Sequence, residues 1–192
     1  MLLLLSGPTG VGKTTLLRLL TTYQGLEERF VAIPTYTTRL PRVHEKHGRD
    51  YFFINEQDFL RNEQATFFAE VATVGGFKYG TARNALHSLS KGQIGCMVVN
   101  REGVRLWRSL EKSSLAVWLY VSDMQLIGER LSMRHRGDAK YAQARFKLAC
   151  EEQEAEDMRP VCAFRVQNDA SESAFREILG LVRTYEGKTP FL

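Results

Sequence analysis

Apolar and polar positions divide this chain into alternating strand-like and helix-like segments. Residues 2–6 are a continuous apolar run, followed by GPTGVGKT and then LLRLL at helical spacing. That order predicts strand, glycine-rich loop, helix. Residues 94–99 and 115–121 are also continuous apolar runs, the pattern of parallel strands buried on both faces. Residues 30–34 and 162–166 predict shorter strands, and 67–74 and 77–79 flank Gly75-Gly76 as a hairpin. Helical spacing appears at 56–62, 82–90 (ended near Gly92), 123–134, 140–154 and 172–185. Strands alternating with helices imply an α/β fold with a parallel sheet flanked by helices. A mixed stretch around 35–80 and a charged helical hairpin around 124–155 interrupt that alternation. No Pro/Gly/Ser-rich linker separates them, so the pattern predicts one core with two insertions placed to close over ligands.

Composition narrows the class. The 192 residues are 44% hydrophobic and 25% charged, ordinary for a globular chain. The net charge of +4 favours anionic partners. Cys96, Cys150 and Cys162 are scattered without a C-x-x-C, which argues against a disulfide framework or zinc site and suits a reducing cytoplasm. MLLLL is too short and lacks the basic flank of a signal peptide, and no apolar run reaches membrane-spanning length. There is no internal repeat and no low-complexity segment.

GPTGVGKT matches G-x-x-x-x-G-K-[ST] through Gly7, Gly12, Lys13 and Thr14, in strand–loop–helix context. Glycines let backbone N–H groups wrap phosphates, and the helix that follows points its positive end at them. The expected ATP-binding set is Gly7, Pro8, Thr9, Gly10, Val11, Gly12, Lys13, Thr14 and Thr15. Lys13 reaches the outer phosphates, and the Thr14 hydroxyl is the expected Mg²⁺ ligand.

The run TYTTRLPRVHEKHGRDYFF, residues 35–53, is too polar for a core strand. Arg39 and Arg42 bracket Pro41, and Tyr51 adds a phenol, a set suited to a terminal phosphate. Glu45 is placed to orient the arginines or a water, and Asp50 to cap a turn. A solvated charged loop is the alternative. Phosphoryl transfer, however, needs a second anion held in line with the first.

TTRLPRVHEKHGRDYFF resembles the signature of guanylate kinases, roughly T-T-R-x-P-R-x-G-E-x-x-G-x-D-Y-x-F. FFAEVATVGGFKYGT, ERLSMRHRG with Arg145, and FRVQND are similar to further family stretches in the same order, over about residues 2–185. The resemblance implies a P-loop NTPase core (1–34, 82–123, 156–192), an NMP-binding insertion (35–81) and a helical lid (124–155). It implies that Arg39, Arg42, Tyr51 and Tyr79 hold the GMP phosphate, aided by Glu45, and that Thr35, Glu70 and Thr81 read guanine. One carboxylate at Glu70 can accept both guanine N1–H and the exocyclic amine, whereas adenine has no N1–H. Arg130 and Arg134, on one helical face, and Arg145 are implied to meet the transferring phosphoryl group, and Asn168 to lie beside adenine. The implied activity is Mg²⁺-assisted phosphorylation of GMP, with dGMP, by ATP, in a monomer or homodimer without nucleic-acid or membrane partners. Basic residues concentrate at the phosphate-site positions rather than in an aromatic-rich nucleic-acid module.

Two departures stand out. His44 occupies a place where the family usually has glycine, so backbone strain is expected there if the turn needs positive φ. It lies three residues from His47, a pair that reads as surface histidines rather than a metal site. VVNREG at 98–103 replaces an expected D-I-D-x-x-G, putting Val98 and Asn100 where acids would hold Mg²⁺ or the acceptor. Asn100 still offers a carbonyl oxygen. VVN also resembles ribose 1,5-bisphosphate phosphokinases, which lack the clamp-and-DY stretch. The competing readings are therefore a kinase with altered acceptor and a guanylate-kinase-like binding module without catalysis.

Overall fold

The computed structural model describes residues 1–154 and 161–187. The strands are β1 (Leu2–Ser6), β2 (Phe30–Ala32), β3 (Thr35–Thr37), β4 (Tyr51–Phe53), β5 (Phe68–Val74), β6 (Phe77–Ala82), β7 (Ile94–Val98), β8 (Ser114–Tyr120) and β9 (Phe164–Gln167). The helices are α1 (Lys13–Thr22), α2 (Glu56–Gln64), α3 (Arg101–Leu110), α4 (Met124–Arg134), α5 (Ala139–Glu154) and α6 (Ser171–Glu186).

Five strands form a parallel sheet in the order β2-β7-β1-β8-β9. β1 is buried along its whole length, as its unbroken apolar run requires. Its side chains alternate between two cores. Leu3 and Leu5 pack with Leu16, Leu20 and Ile178 of α1 and α6, while Leu2 and Leu4 pack with Val104 and Trp107 of α3. Truncating any of these leucines to alanine would cost roughly 2–5 kcal/mol. The chain leaves β1 toward β2 on one side and returns to β8 on the other. The crevice at the carboxyl end of β1 is thus the switch point where open α/β sheets bind ligands.

A second sheet, β4-β3-β6-β5, is mixed. β3 and β4 are parallel, and β6 runs antiparallel to β3 and β5. Gly75 and Gly76 turn the β5–β6 hairpin with φ of 59° and 81°, the left-handed pair of a two-residue hairpin. β3 and β4 lie within the polar run at 35–53, where the hydrophobic pattern alone marks no strands.

Three details depart from expectation. Residues 83–88 form successive turns rather than a helix. Ala85, His87 and Leu89 each donate to the carbonyl three residues back, and Ala85, Leu86 and Leu89 pack against the Leu2–Trp107 core. The segment is too short to propagate a helix unaided, and packing decides its shape. Second, α3 forms where no helix was expected. Its N-cap is Asn100, whose Oδ1 accepts from Gly103 N–H at 2.8 Å. Third, His44 is unstrained: Thr66 is the non-glycine with positive φ among the described residues, and Gly48 takes the φ of 80° in the clamp loop.

Candidate active site

One cleft joins the end of β1 to the second sheet. Its wall includes Gly7, Thr9, Gly10, Gly12, Lys13 and Thr14 from the phosphate loop, and Thr35, Arg39, Arg42, Tyr51, Glu70, Tyr79 and Thr81 from the second sheet and its loops. Val98, Asn100, Arg134 and Arg145 complete it, together with Glu152.

At the phosphate-loop end, Lys13 Nζ donates to the carbonyls of Gly7 at 2.6 Å and Pro8 at 2.9 Å. Burial draws its pKa down from 10.5 to about 8; Glu152 opposes that fall, and Arg145 and Arg134 add to it. Two side chains of α5 dock on Thr9. Arg145 donates to its hydroxyl at 3.0 Å, and the Glu152 carboxylate accepts its backbone N–H at 2.6 Å. Arg145 and Glu152 are seven residues apart and so share a helical face. Glu152 was absent from the sequence reading, and this spacing is the signal that marks it. Arg145 also reaches the hairpin tip, where a Cβ on Gly75 would lie 2.0 Å from its Nη1. Gly75 thus serves both the turn and the approach of the arginine.

At the other end, Glu45 ties the clamp together. Arg39 Nη2 donates to both its oxygens at 3.0 and 2.9 Å, and Arg42 donates from Nη1 at 3.1 Å and from its backbone at 2.9 Å. Arg39 also lies over the rings of Tyr51 and Phe53, at 5.4 and 5.7 Å. Burial works against its charge, but the hydrogen bond and charge of Glu45, then Tyr79, outweigh it, so the pKa rises. Arg39 Nε is buried with no hydrogen-bond partner among the described residues. Burial, then Tyr79, raises the Tyr51 pKa, so its phenol stays a neutral donor. Asp50 closes the loop by accepting from Lys46 N–H and Arg49 Nε, each at 2.8 Å.

Arg134 faces the same cleft, and burial, then Arg42, lowers its pKa. Arg134, Arg145 and Lys13 thus face one cleft together with the Arg39–Arg42 pair, a concentration of positive charge suited to a polyanion.

Glu70 stands on β5 opposite Thr81 of β6, just past a register shift after Phe68 that re-aims it. Thr81 Oγ1 donates to Glu70 Oε1 at 2.9 Å, and Thr35 lines the same wall.

Arg130 and Asn168 lie away from the cleft wall. Arg130 donates to the carbonyls of Val11, Asn168 and Asp169 at 3.3, 2.9 and 2.8 Å, and Asn168 Nδ2 donates to Val11 O at 2.6 Å. Both brace the phosphate loop from behind, and Asn168 Oδ1 is left buried without a hydrogen-bond partner among the described residues. Val98 lines the cleft where an acid was expected, and Asn100 uses its oxygen as the α3 cap. Thr14 is the remaining candidate ligand for Mg²⁺, with the nucleotide's own oxygens and water. No cluster of three His, Cys, Asp or Glu suited to a metal occurs among the described residues. His47 meets the ring of Phe52 edge-on. Cys96 and Cys162 are buried thiols whose pKa values are pushed up to about 12 and 11, and no helix among the described residues is long and apolar enough to cross a membrane.

A phosphate loop at the end of a central parallel strand, facing a second anion clamp across one cleft, defines a phosphotransferase of the P-loop class. The guanylate kinase family model matches residues 1–185, and the chain belongs to the guanylate kinase family. It is 35% identical over 179 residues to a guanylate kinase of Oleidesulfovibrio alaskensis, spanning 92% of this chain and 83% of the relative. It is 36% identical to that of Nitratidesulfovibrio vulgaris, with the same shares of 92% and 83%. The crystal structure of guanylate kinase from Anaplasma phagocytophilum superposes with a TM-score of 0.68 at 25% identity, covering 98% of this chain and 87% of that one.

Proposed function

We infer that this protein transfers the γ-phosphoryl group of ATP to GMP, giving ADP and GDP, and that it accepts dGMP as well. The observation that carries this is the pairing of two anion seats with a carboxylate in one cleft: Lys13 and the loop glycines at one end, Arg39, Arg42 and Tyr51 at the other, Glu70 on the wall between. The core, the insertion at 35–81 and the lid at 124–155 divide that work.

A phosphate oxygen of GMP takes the buried Arg39 Nε–H, with the Arg42 guanidinium and the Tyr51 and Tyr79 phenols around it. Glu45 holds both guanidinium groups in place before substrate arrives. Glu70 accepts from guanine N1–H, and Thr35 and Thr81 complete the reading of the base. Asn168, fully buried behind the phosphate loop, acts by holding Val11 rather than by touching adenine. Arg130 acts by holding the loop.

The acceptor's phosphate oxygen attacks the γ-phosphorus in line, the bond to the bridging oxygen breaks, and ADP leaves. Lys13, Arg134 and Arg145 meet the charge that develops, so positioning and electrostatics suffice without a covalent intermediate. Mg²⁺, held by Thr14 and the nucleotide, adds positive charge at the outer phosphates when bound. The three thiols suit a reducing cytoplasm.

The test is ADP release from MgATP with GMP, dGMP, AMP and ribose 1,5-bisphosphate in parallel. Turnover is expected with GMP and dGMP far above the others. Turnover only with the sugar bisphosphate would mean that Val98 and Asn100 have re-specified the acceptor. Nucleotide binding without turnover would leave a binding module.

A further inference from the structure

Trp107 is 2% exposed and sits in the core beneath β1 with Leu4, Met97 and Val104. A buried indole N–H usually finds an acceptor, although that of Trp118 has none among the described residues. Here the acceptor is the base-reading acid: Trp107 Nε1–H donates to Glu70 Oε1 at 3.1 Å. Thr81 donates to that same oxygen, so both of its in-plane acceptor positions are engaged by the protein. Glu70 Oε2 is held differently. It lies against Gly103, where a Cβ would come within 2.4 Å of it.

Gly103 and Trp107 are four residues apart, on one face of α3. One supplies room in the helix's first turn and the other supplies a donor one turn later. The helix starts where it does because Asn100 caps Gly103 N–H. The carboxylate lies along the helix flank between Gly103 and Trp107.

We propose that Trp107 and Gly103 are positioning residues for guanine recognition: α3 seats the Glu70 carboxylate, locking Oε1 and leaving Oε2 as the oxygen that meets the base. This rests on Glu70 reading guanine. A core tryptophan with a purely structural role needs no carboxylate partner from the other sheet, and a helix gains stability from alanine at 103. The seat explains both residues. It also assigns Asn100 a part in recognition that needs no charge, because the residue fixes the start of the helix that holds the acid.

The experiment measures kcat and KM for GMP and AMP, KM for ATP, and thermal melting, on the full chain and on Trp107→Phe, Gly103→Ala, Val104→Ala and Glu70→Gln. Trp107→Phe is expected to raise KM for GMP and lower the GMP-to-AMP ratio of kcat/KM about tenfold, as loss of a hydrogen bond to a charged group implies, with KM for ATP unchanged. Gly103→Ala, whose Cβ would press on Glu70 Oε2 and on Val99 Cβ, is expected to lower the same ratio while melting no earlier than Val104→Ala. Val104→Ala, in the same core, should melt earlier and keep the ratio. The Trp107 indole N–H resonance should shift in Glu70→Gln and on adding GMP to the unmodified protein. If Glu70→Gln collapses the preference while Trp107→Phe and Gly103→Ala leave it intact, the seat is refuted and the site stands. If Glu70→Gln itself leaves the preference intact, the base-reading assignment fails first. If Trp107→Phe does not fold, Gly103→Ala decides.

Discussion

The two ends of the cleft are built by opposite means. The phosphate end is built on one local segment: Gly7 to Thr14 are contiguous, and the loop folds back on itself through Lys13 to the Gly7 and Pro8 carbonyls, with Arg145 and Glu152 of α5 hydrogen-bonding to Thr9 from afar. The end we propose reads the base is assembled at a distance. Glu70 comes from β5, Thr81 from β6, Thr35 from β3 and Trp107 from α3. The phosphate clamp lies between these extremes, with Arg39, Arg42 and Glu45 in one short loop and Tyr79 from another strand. Phosphate is a symmetric anion that a short loop of donors can wrap. A base is read by the direction of individual donors and acceptors, which needs groups fixed from several sides.

If that contrast holds, damage at the phosphate end should strike turnover for every acceptor. Lys13→Ala is expected to lower kcat by at least about 10²–10³-fold, with the circular-dichroism melt preserved. Near-normal phosphotransfer by a folded variant would break the contrast at its strongest point.

Glu45→Ala should act on the acceptor side. It leaves Arg39 and Arg42 without their shared anion, so KM for GMP should rise at least about tenfold and stability should fall by roughly 1.5–3 kcal/mol. The side chains of Arg39 and Glu45 are only 9% and 10% exposed, so solvent does little to replace the pair. Saturating GMP brings a phosphate to the bared arginines and should narrow the gap in melting temperature. A gap that GMP leaves unchanged would mean Glu45 serves the loop alone.

The smallest effect sharpens the phosphate end through pH. Burial draws the Lys13 pKa down to about 8, and a bound polyphosphate favours its charged form. ATP binding should therefore take up protons at and above about pH 8, and affinity should weaken as pH rises through that value. The same depression has a stability consequence. The unfolded chain holds this proton up to 10.5, so between about 8 and 10.5 this lysine alone makes stability rise with pH. Calorimetry in two buffers of different ionisation enthalpy measures the uptake, and none at pH 8.5 would contradict the burial of Lys13.

How much was legible in the sequence follows the same divide. The phosphate loop, the Arg39–Arg42 clamp and the Gly75-Gly76 hairpin are contiguous, and their chemistry is visible in a line of residues. Tertiary partners are not. Glu152 docks on Thr9 from 143 residues away, and Trp107 reaches Glu70 across 37. α3 is legible only in part: Val104 and Trp107 share a buried face, Leu106 is half-buried and Leu110 is turned to solvent at 60% exposure, while its start is marked by the Asn100 cap rather than by the apolar pattern. The helix expected at 82–90 is the opposite error, since apolar spacing there serves packed turns rather than a helix. The strain expected at His44 vanished because Gly48 carries the loop's left-handed residue. Arg130, grouped by helical spacing with Arg134, faces backbone carbonyls instead of the cleft.

The role proposed for Glu70 makes one carboxylate decide which base the cleft accepts. The measurement that tests it most directly is kcat/KM for GMP and AMP in the unmodified protein and in Glu70→Gln. The unmodified protein should favour GMP strongly. The substitution should reduce that preference at least about a hundredfold, because Thr81 and Trp107 would hold the amide oxygen and turn its NH2 donor to the base, which suits the adenine N1 acceptor and opposes the guanine N1–H. A preference for GMP that survives Glu70→Gln would contradict the account.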